Sequence, residues 1–151
     1  WGGLLVLLVV HLDAVDGSLA RLRGEESHFG AFFDSVTDRY SEIALYGGLL
    51  IHFYHTNNWR GAILVFFAAF GSIMVSYVRA RAESLDFSAK VGLLTRAERY
   101  IVLLPGIIFQ FPEISLWILA FMTNFTALQR FFQIRKQAQN ALSLAEQKKE
   151  E

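Results

Sequence analysis

Cysteine is absent from the 151 residues. That excludes a disulfide framework and any thiolate metal site, and it leaves the redox compartment open. Proline is scarce: Pro105 and Pro112 are the only two, both in the last third of the chain. Excess charge is lacking as well. Fourteen Lys and Arg balance 14 Asp and Glu, so bulk charge offers no case for a nucleic-acid partner, and none is expected. Strand-like alternation, internal repeats and low-complexity segments do not stand out. The chain opens on Trp1-Gly2-Gly3-Leu4, without an initiator Met and without a basic stretch ahead of its first apolar run. It is therefore not read as a signal peptide. The expectation is a fragment that begins partway through a helix, with at least one upstream element missing.

Apolar residues make up 54% of the chain and aromatics 15%, and the mean hydropathy is +0.35. That suits a membrane protein with charged ends. Residues 1–12 are almost wholly apolar and end at Asp13 and Asp16. A second helix is expected from an N-cap at Ser27 to His55, polar on one face at first and apolar from Ile43 to Tyr54. Thr56-Asn57-Asn58 is a loop signal. Residues 59–83 form a third, Phe- and Ala-rich helix, followed by a polar connector over 84–96. A fourth apolar run, Arg96 to Gln110, is interrupted by Pro105; a fifth covers 113–133. A membrane span needs about 20 apolar residues, and three segments are long enough. The expected fold is all-α, a polytopic transmembrane helix bundle over residues 1–135. Residues 136–151 form a polar cytoplasmic tail, either a helical extension or disordered.

Thirteen of the 14 basic residues fall at one set of helix ends; Arg60 alone lies at the other. By the positive-inside rule the acidic motif then faces the cytoplasm, at shallow depth in the cell membrane. Trp59 and Trp117 read as interface-belt aromatics, and the Phe-rich third helix as lipid or helix contact.

Four carboxylates stand out in this apolar setting: Asp13 and Asp16, three apart, and Asp34 and Asp38, four apart. On a helix each pair shares a face. Acids in or near a bilayer are costly and need partners. Carboxylates without His or Cys ligands favour hard cations, and four could hold two ions. Two such ions clamp the oxygens of a phosphoryl group in in-line displacement. Arg21, between the pairs, adds a cation suited to phosphate. Metal-dependent phosphoryl chemistry at a membrane is one reading; acid pairs in a cation transporter are the other. His11, His28, His52 and His55 form no ligand group with the acids. Glu42 and Arg39 either pair beside the site or serve as structural polar residues.

Asp13-x-x-Asp16-Gly17-x-x-Ala20-Arg21-(eight residues)-Gly30-x-x-x-Asp34-x-x-x-Asp38 resembles the signature of the CDP-alcohol phosphotransferases. At average residue usage, eight fixed positions coincide by chance on the order of 10⁻⁹ per start site. The resemblance implies a six-helix transmembrane fold, here lacking the first helix and the start of the second. It implies transfer of a substituted phosphate from a CDP-linked donor to an alcohol, with release of CMP. Asp13, Asp16 and Asp34 would bind two divalent cations, Mg²⁺ or Mn²⁺. Asp38 would stand at the metal site and act as general base. Asp13, Gly17, Ala20, Arg21 and Gly30 would form the nucleotide site, Gly30 through close helix approach. Family members are often homodimers, so a homodimer in membrane lipid is a candidate assembly.

Three later segments bear on the acceptor. Ser76-Tyr77-Val78-Arg79-Ala80-Arg81-Ala82-Glu83, Arg96-Ala97-Glu98-Arg99 and Leu128-Gln129-Arg130 resemble segments of phosphatidylinositol-phosphate synthases and their archaeal inositol-lipid relatives. The resemblance implies a CDP-diacylglycerol or CDP-archaeol donor and an inositol phosphate acceptor, its phosphate held by Ser76, Arg79, Arg99 and Arg130. Arg at position 79 departs from the usual Lys but still supplies a cation. Arg81, Lys90 and Arg96 are read as interfacial anchors. Other acceptors, such as glycerol phosphate, or a soluble inositol-phosphate product, remain open within the family.

Overall fold

The structure, a computed structural model, describes residues 28–89, 91–92 and 94–150. Its helices are α1 (His28–His55), α2 (Trp59–Glu83), α3 (Arg96–Ile108) and α4 (Pro112–Glu150). No strand occurs among the described residues.

Short connections dictate the packing. Asn57 takes a left-handed φ of 52°, and the Asn58 side chain caps α2 by accepting from Gly61 N at 3.0 Å. A turn this tight folds α2 back along α1. Thr95 opens α3 with a capping box closed by Glu98. Backbone hydrogen bonds across the next turn, among them Phe109 N to Pro105 O at 2.9 Å and Phe111 N to Gly106 O at 2.8 Å, return the chain into α4. Pro105 removes one helical donor near the end of α3 without ending the helix.

α2 is the central helix: it packs on α1 and on α4, and α3 packs on α4. Small residues let the helices close up. A Cβ added at Gly61 would strike the Phe53 ring, and one at Gly71 would strike Thr123 and Asn124. Asn124 Nδ2 also crosses from α4 to Phe67 O at 3.0 Å, as polar side chains do between membrane helices. Leu64, Val65, Ala68, Leu103, Leu116 and Leu119 fill the core with Tyr46, Leu49 and Phe53 from α1. Outward, the bundle is apolar: Phe66 is 63% exposed, Phe121 69% and Trp117 63%. A surface of this kind suits lipid rather than water.

The structure bears on two expectations. Three segments are long enough to span by their apolar runs, yet among the described helices α2 is the one long and apolar enough to cross a membrane. α1 carries Asp34, Asp38, Arg39 and Glu42 in its first half, and α3 has only 13 residues. The tail, open between helix and disorder, continues α4 without a break to Glu150. At 1.5 Å per residue α4 runs about 58 Å, well beyond the roughly 30 Å hydrocarbon core.

Candidate active site

α1 and α3 do not pack backbone to backbone. Long side chains span the gap between them, and the gap is a cavity of about 690 Å³. All four helices contribute to its lining: Asp34, Asp38 and Glu42 from α1, Ser76, Arg79 and Glu83 from α2, Arg96 and Arg99 from α3, and Arg130 from α4. Five arginines and four carboxylates line it, with Thr95 at the α3 cap.

The α1 wall follows from spacing. Asp34, Asp38 and Glu42 recur every four residues and so share one helix face. Asp38 is ion-paired with Arg96, whose guanidinium carbon also sits 5.5 Å from the centre of the Tyr100 ring. Glu42 is 6% exposed and Arg99 3%. They form a two-pronged pair, Arg99 Nε to Oε1 at 2.8 Å and Nη2 to Oε2 at 3.1 Å. Ser72 Oγ donates to the same Oε1 at 2.8 Å, and the Tyr46 hydroxyl lies 3.4 Å from Ser72 Oγ. Arg39 turns back to the Ser35 carbonyl of its own helix.

The opposite wall is held by Arg130. It is 4% exposed and donates from Nε to Val91 O at 2.8 Å and from Nη1 to Val75 O at 2.7 Å. One side chain thus ties α4 to both α2 and the 84–95 connector. Gln137 grips the connector further along, donating to Ser88 O at 2.7 Å and accepting from Ser88 N at 3.1 Å. Arg79 is half-exposed and pairs with Glu83 at 2.9 Å.

Sequence reasoning placed Asp34, Asp38, Ser76, Arg79, Arg99 and Arg130 in the site, and the structure brings all six to the one cavity. Gly30 lies in the first turn of α1. Asp13, Asp16, Gly17, Ala20 and Arg21 lie outside the described residues, as does Lys90. Arg96, read as an interfacial anchor, is corrected: it lines the cavity and pairs with Asp38. Its place three residues before Arg99 on one helix face was the signal that could have found it. Glu42 pairs with Arg99, 57 residues away, rather than with its neighbour Arg39.

The donors available for a metal fit a hard cation. They are carboxylate oxygens only, Asp34 and Asp38 face one cavity, and Asp38 already addresses a cation there. No group of three or more His, Cys, Asp or Glu that could hold a metal occurs among the described residues. Asp34 and Asp38 are half of the four aspartates read from the sequence, the other two lying outside that range.

The sequence profile of the CDP-alcohol phosphatidyltransferases matches residues 1–128. The phosphatidylinositol phosphate synthase of Streptomyces avermitilis is 36% identical over 157 residues, covering 93% of this chain and 64% of that one. The archaetidylinositol phosphate synthase of Methanothermobacter thermautotrophicus is 34% identical over 139 residues, covering 88% and 69%. The chain thus spans about two thirds of the length of these relatives. Among solved structures, the Mycobacterium tuberculosis phosphatidylinositol phosphate synthase (PgsA1) with CDP-DAG bound superposes with a TM-score of 0.81 at 31% identity, covering 88% of this chain and 72% of that one. The same protein in complex with manganese and citrate gives 0.81 at 29% identity, covering 88% and 68%. With a profile match over most of its length and the same all-helical membrane fold, the chain belongs to the CDP-alcohol phosphatidyltransferase family.

Proposed function

We propose that this chain moves a phosphatidyl-type group from a CDP-linked lipid to a hydroxyl of an inositol phosphate, releasing CMP at the cytoplasmic face of the membrane. The observation that carries the reading is the two-sided cavity: carboxylates on α1 face arginines from three other helices across one space. A neutral alcohol needs no such cationic wall; an anionic acceptor does. The relatives named for inositol-phosphate lipid synthesis support the same assignment.

In this reading Asp13, Asp16, Asp34 and Asp38 hold two divalent cations, Mg²⁺ or Mn²⁺. When bound, these ions neutralise the diphosphate and polarise the phosphorus under attack. Asp13, Gly17, Ala20, Arg21 and Gly30 seat the nucleotide. Ser76, Arg79, Arg99 and Arg130 seat the acceptor's phosphate and so place its hydroxyl near Asp38. Asp38 takes the hydroxyl proton. The hydroxyl oxygen bonds to the lipid-bearing phosphorus as the bond from that phosphorus to the CMP oxygen breaks. Residues 1–135 form the catalytic membrane domain and 136–151 its cytoplasmic extension, and a homodimer is the proposed assembly.

The test is CMP release from CDP-diacylglycerol in detergent with Mg²⁺, comparing inositol 1-phosphate with inositol, glycerol 3-phosphate and serine. Release with inositol phosphate alone is expected. Release with another acceptor instead would retain the chemistry and overturn the role given to the arginines. No release with any acceptor, from folded protein, would overturn the reading as a whole.

A further inference from the structure

Glu42 is the third carboxylate in the row Asp34, Asp38, Glu42, and it behaves unlike the first two. It is buried, and every partner it has in the structure points to one task. Arg99 meets it with both Nε and Nη2. Ser72 Oγ braces Oε1 from α2, with the Tyr46 hydroxyl behind it. A carboxylate held by three donors cannot turn, and a guanidinium bound through two of its nitrogens is fixed in plane as well as in place. These bonds use the Nε–H and one Nη2–H, so both Nη1–H donors and the second Nη2–H are left for a ligand in the cavity that Arg99 lines. Because α1 and α3 do not pack on each other directly, this pair also sets how far Arg99 stands from the Asp38 face. The pairing meets a second need: without it, Arg99 would be a desolvated charge beside other arginines.

We propose that Glu42 is a positioning residue for acceptor binding, holding the Arg99 guanidinium in one orientation with its remaining N–H donors left for the acceptor's phosphate. The proposal rests on the reading of Arg99 as an acceptor ligand given above.

Steady-state kinetics with CDP-diacylglycerol and inositol 1-phosphate varied separately test it, on wild type, Arg99→Ala, Glu42→Gln and the double variant. Glu42→Gln keeps the shape and removes the charge. It is expected to raise the acceptor KM about tenfold, the low end of the loss seen when a binding group loses the partner that orients it, with kcat and the donor KM nearly unchanged. The double variant is expected to bind acceptor no worse than Arg99→Ala alone, and Glu42→Asp to recover part of the loss. If Arg99→Ala raises the acceptor KM and Glu42→Gln does not, the positioning role is overturned and the reading of Arg99 stands. If Arg99→Ala leaves the acceptor KM unchanged, both are overturned. Equal losses in kcat and both KM values, together with a lowered melting temperature, would mark Glu42 as purely structural and overturn the proposal. Should Glu42→Gln fail to fold, Ser72→Ala decides: a rise of about threefold confined to the acceptor KM supports the role, and an unchanged acceptor KM overturns it.

Discussion

Arg96, the first residue of α3, and Asp38, in the first half of α1, are joined by an ion pair across the cavity. The proposed general base and metal ligand thus has a guanidinium at its side before any ligand arrives. Arg96 Nε is buried with no hydrogen-bond partner among the described residues, so the side chain has capacity beyond this pair. A cation beside a carboxylate cluster competes with divalent ions for the same charge.

Removing that cation is expected to tighten metal binding. Arg96→Ala should lower the Mn²⁺ Kd by about three- to tenfold, since one unit charge leaves a partly buried carboxylate site. Arg96→Lys keeps the charge and should stay within about twofold of wild type. Electron paramagnetic resonance titration of free Mn²⁺ reads both. A weaker Kd in Arg96→Ala would mean that Arg96 orders Asp38 for the metal instead of competing with it.

Asp38→Asn is expected to lower kcat for CMP release by about 10²- to 10⁴-fold. The amide keeps the size of the side chain but cannot take the acceptor's proton. Chelation with EDTA should abolish turnover in wild type, with recovery on adding Mg²⁺. An Asp38→Asn enzyme with near wild-type kcat would require another base.

Arg79 differs from the other cavity arginines in being half-exposed, with a partner, Glu83, one turn away on the same helix. A pair of that kind contributes only about 0.3–0.5 kcal/mol, so a ligand phosphate can draw Arg79 away from it. Arg79→Ala should weaken acceptor binding by about 1.5–3 kcal/mol, the range for hydrogen bonds to charged groups. The acceptor KM should rise while kcat and the melting temperature hold.

Gly71 sits where α2 packs on α4, against Thr123 and Asn124. Gly71→Val should cost about 1–3 kcal/mol through overpacking of that contact. Thermal unfolding in detergent measures it. Gly47 and Gly48, with open space around them, serve as controls: Gly47→Ala should not lower the melting temperature.

The Gln137 grip on Ser88 predicts a role for the C-terminal part of α4. Gln137→Ala should cost about 1 kcal/mol of local stability in the connector. Amide hydrogen exchange at Ser88 should rise with little change elsewhere. A chain ending at Lys136 should show the same local change, since it loses the same two bonds.

Much of this site was legible in the sequence because its chemistry is written in local spacing. Asp34 and Asp38 are four apart, and on a helix that alone puts them on one face. Ser76 and Arg79 are three apart for the same reason. Asn58 belongs to the loop signal read at Thr56-Asn57-Asn58, and the structure uses it to cap α2; Thr95, which caps α3, was not singled out in the sequence. Arg96 was misplaced because a basic residue at a helix end serves equally well as a membrane anchor and as a site residue. The choice depends on which way α3 rolls against its neighbours.

By itself the sequence determined the helices, the apolar outer surface and the acidic face of α1, all consequences of residues a few positions apart. Tertiary structure decided the pairings: Glu42 with Arg99, Asp38 with Arg96, Arg130 with the carbonyls of Val75 and Val91, Gln137 with Ser88. Each joins residues dozens of positions apart. Charge complementarity allows many such matches; the packing of α2 between α1 and α4, and of α3 on α4, leaves these ones within reach.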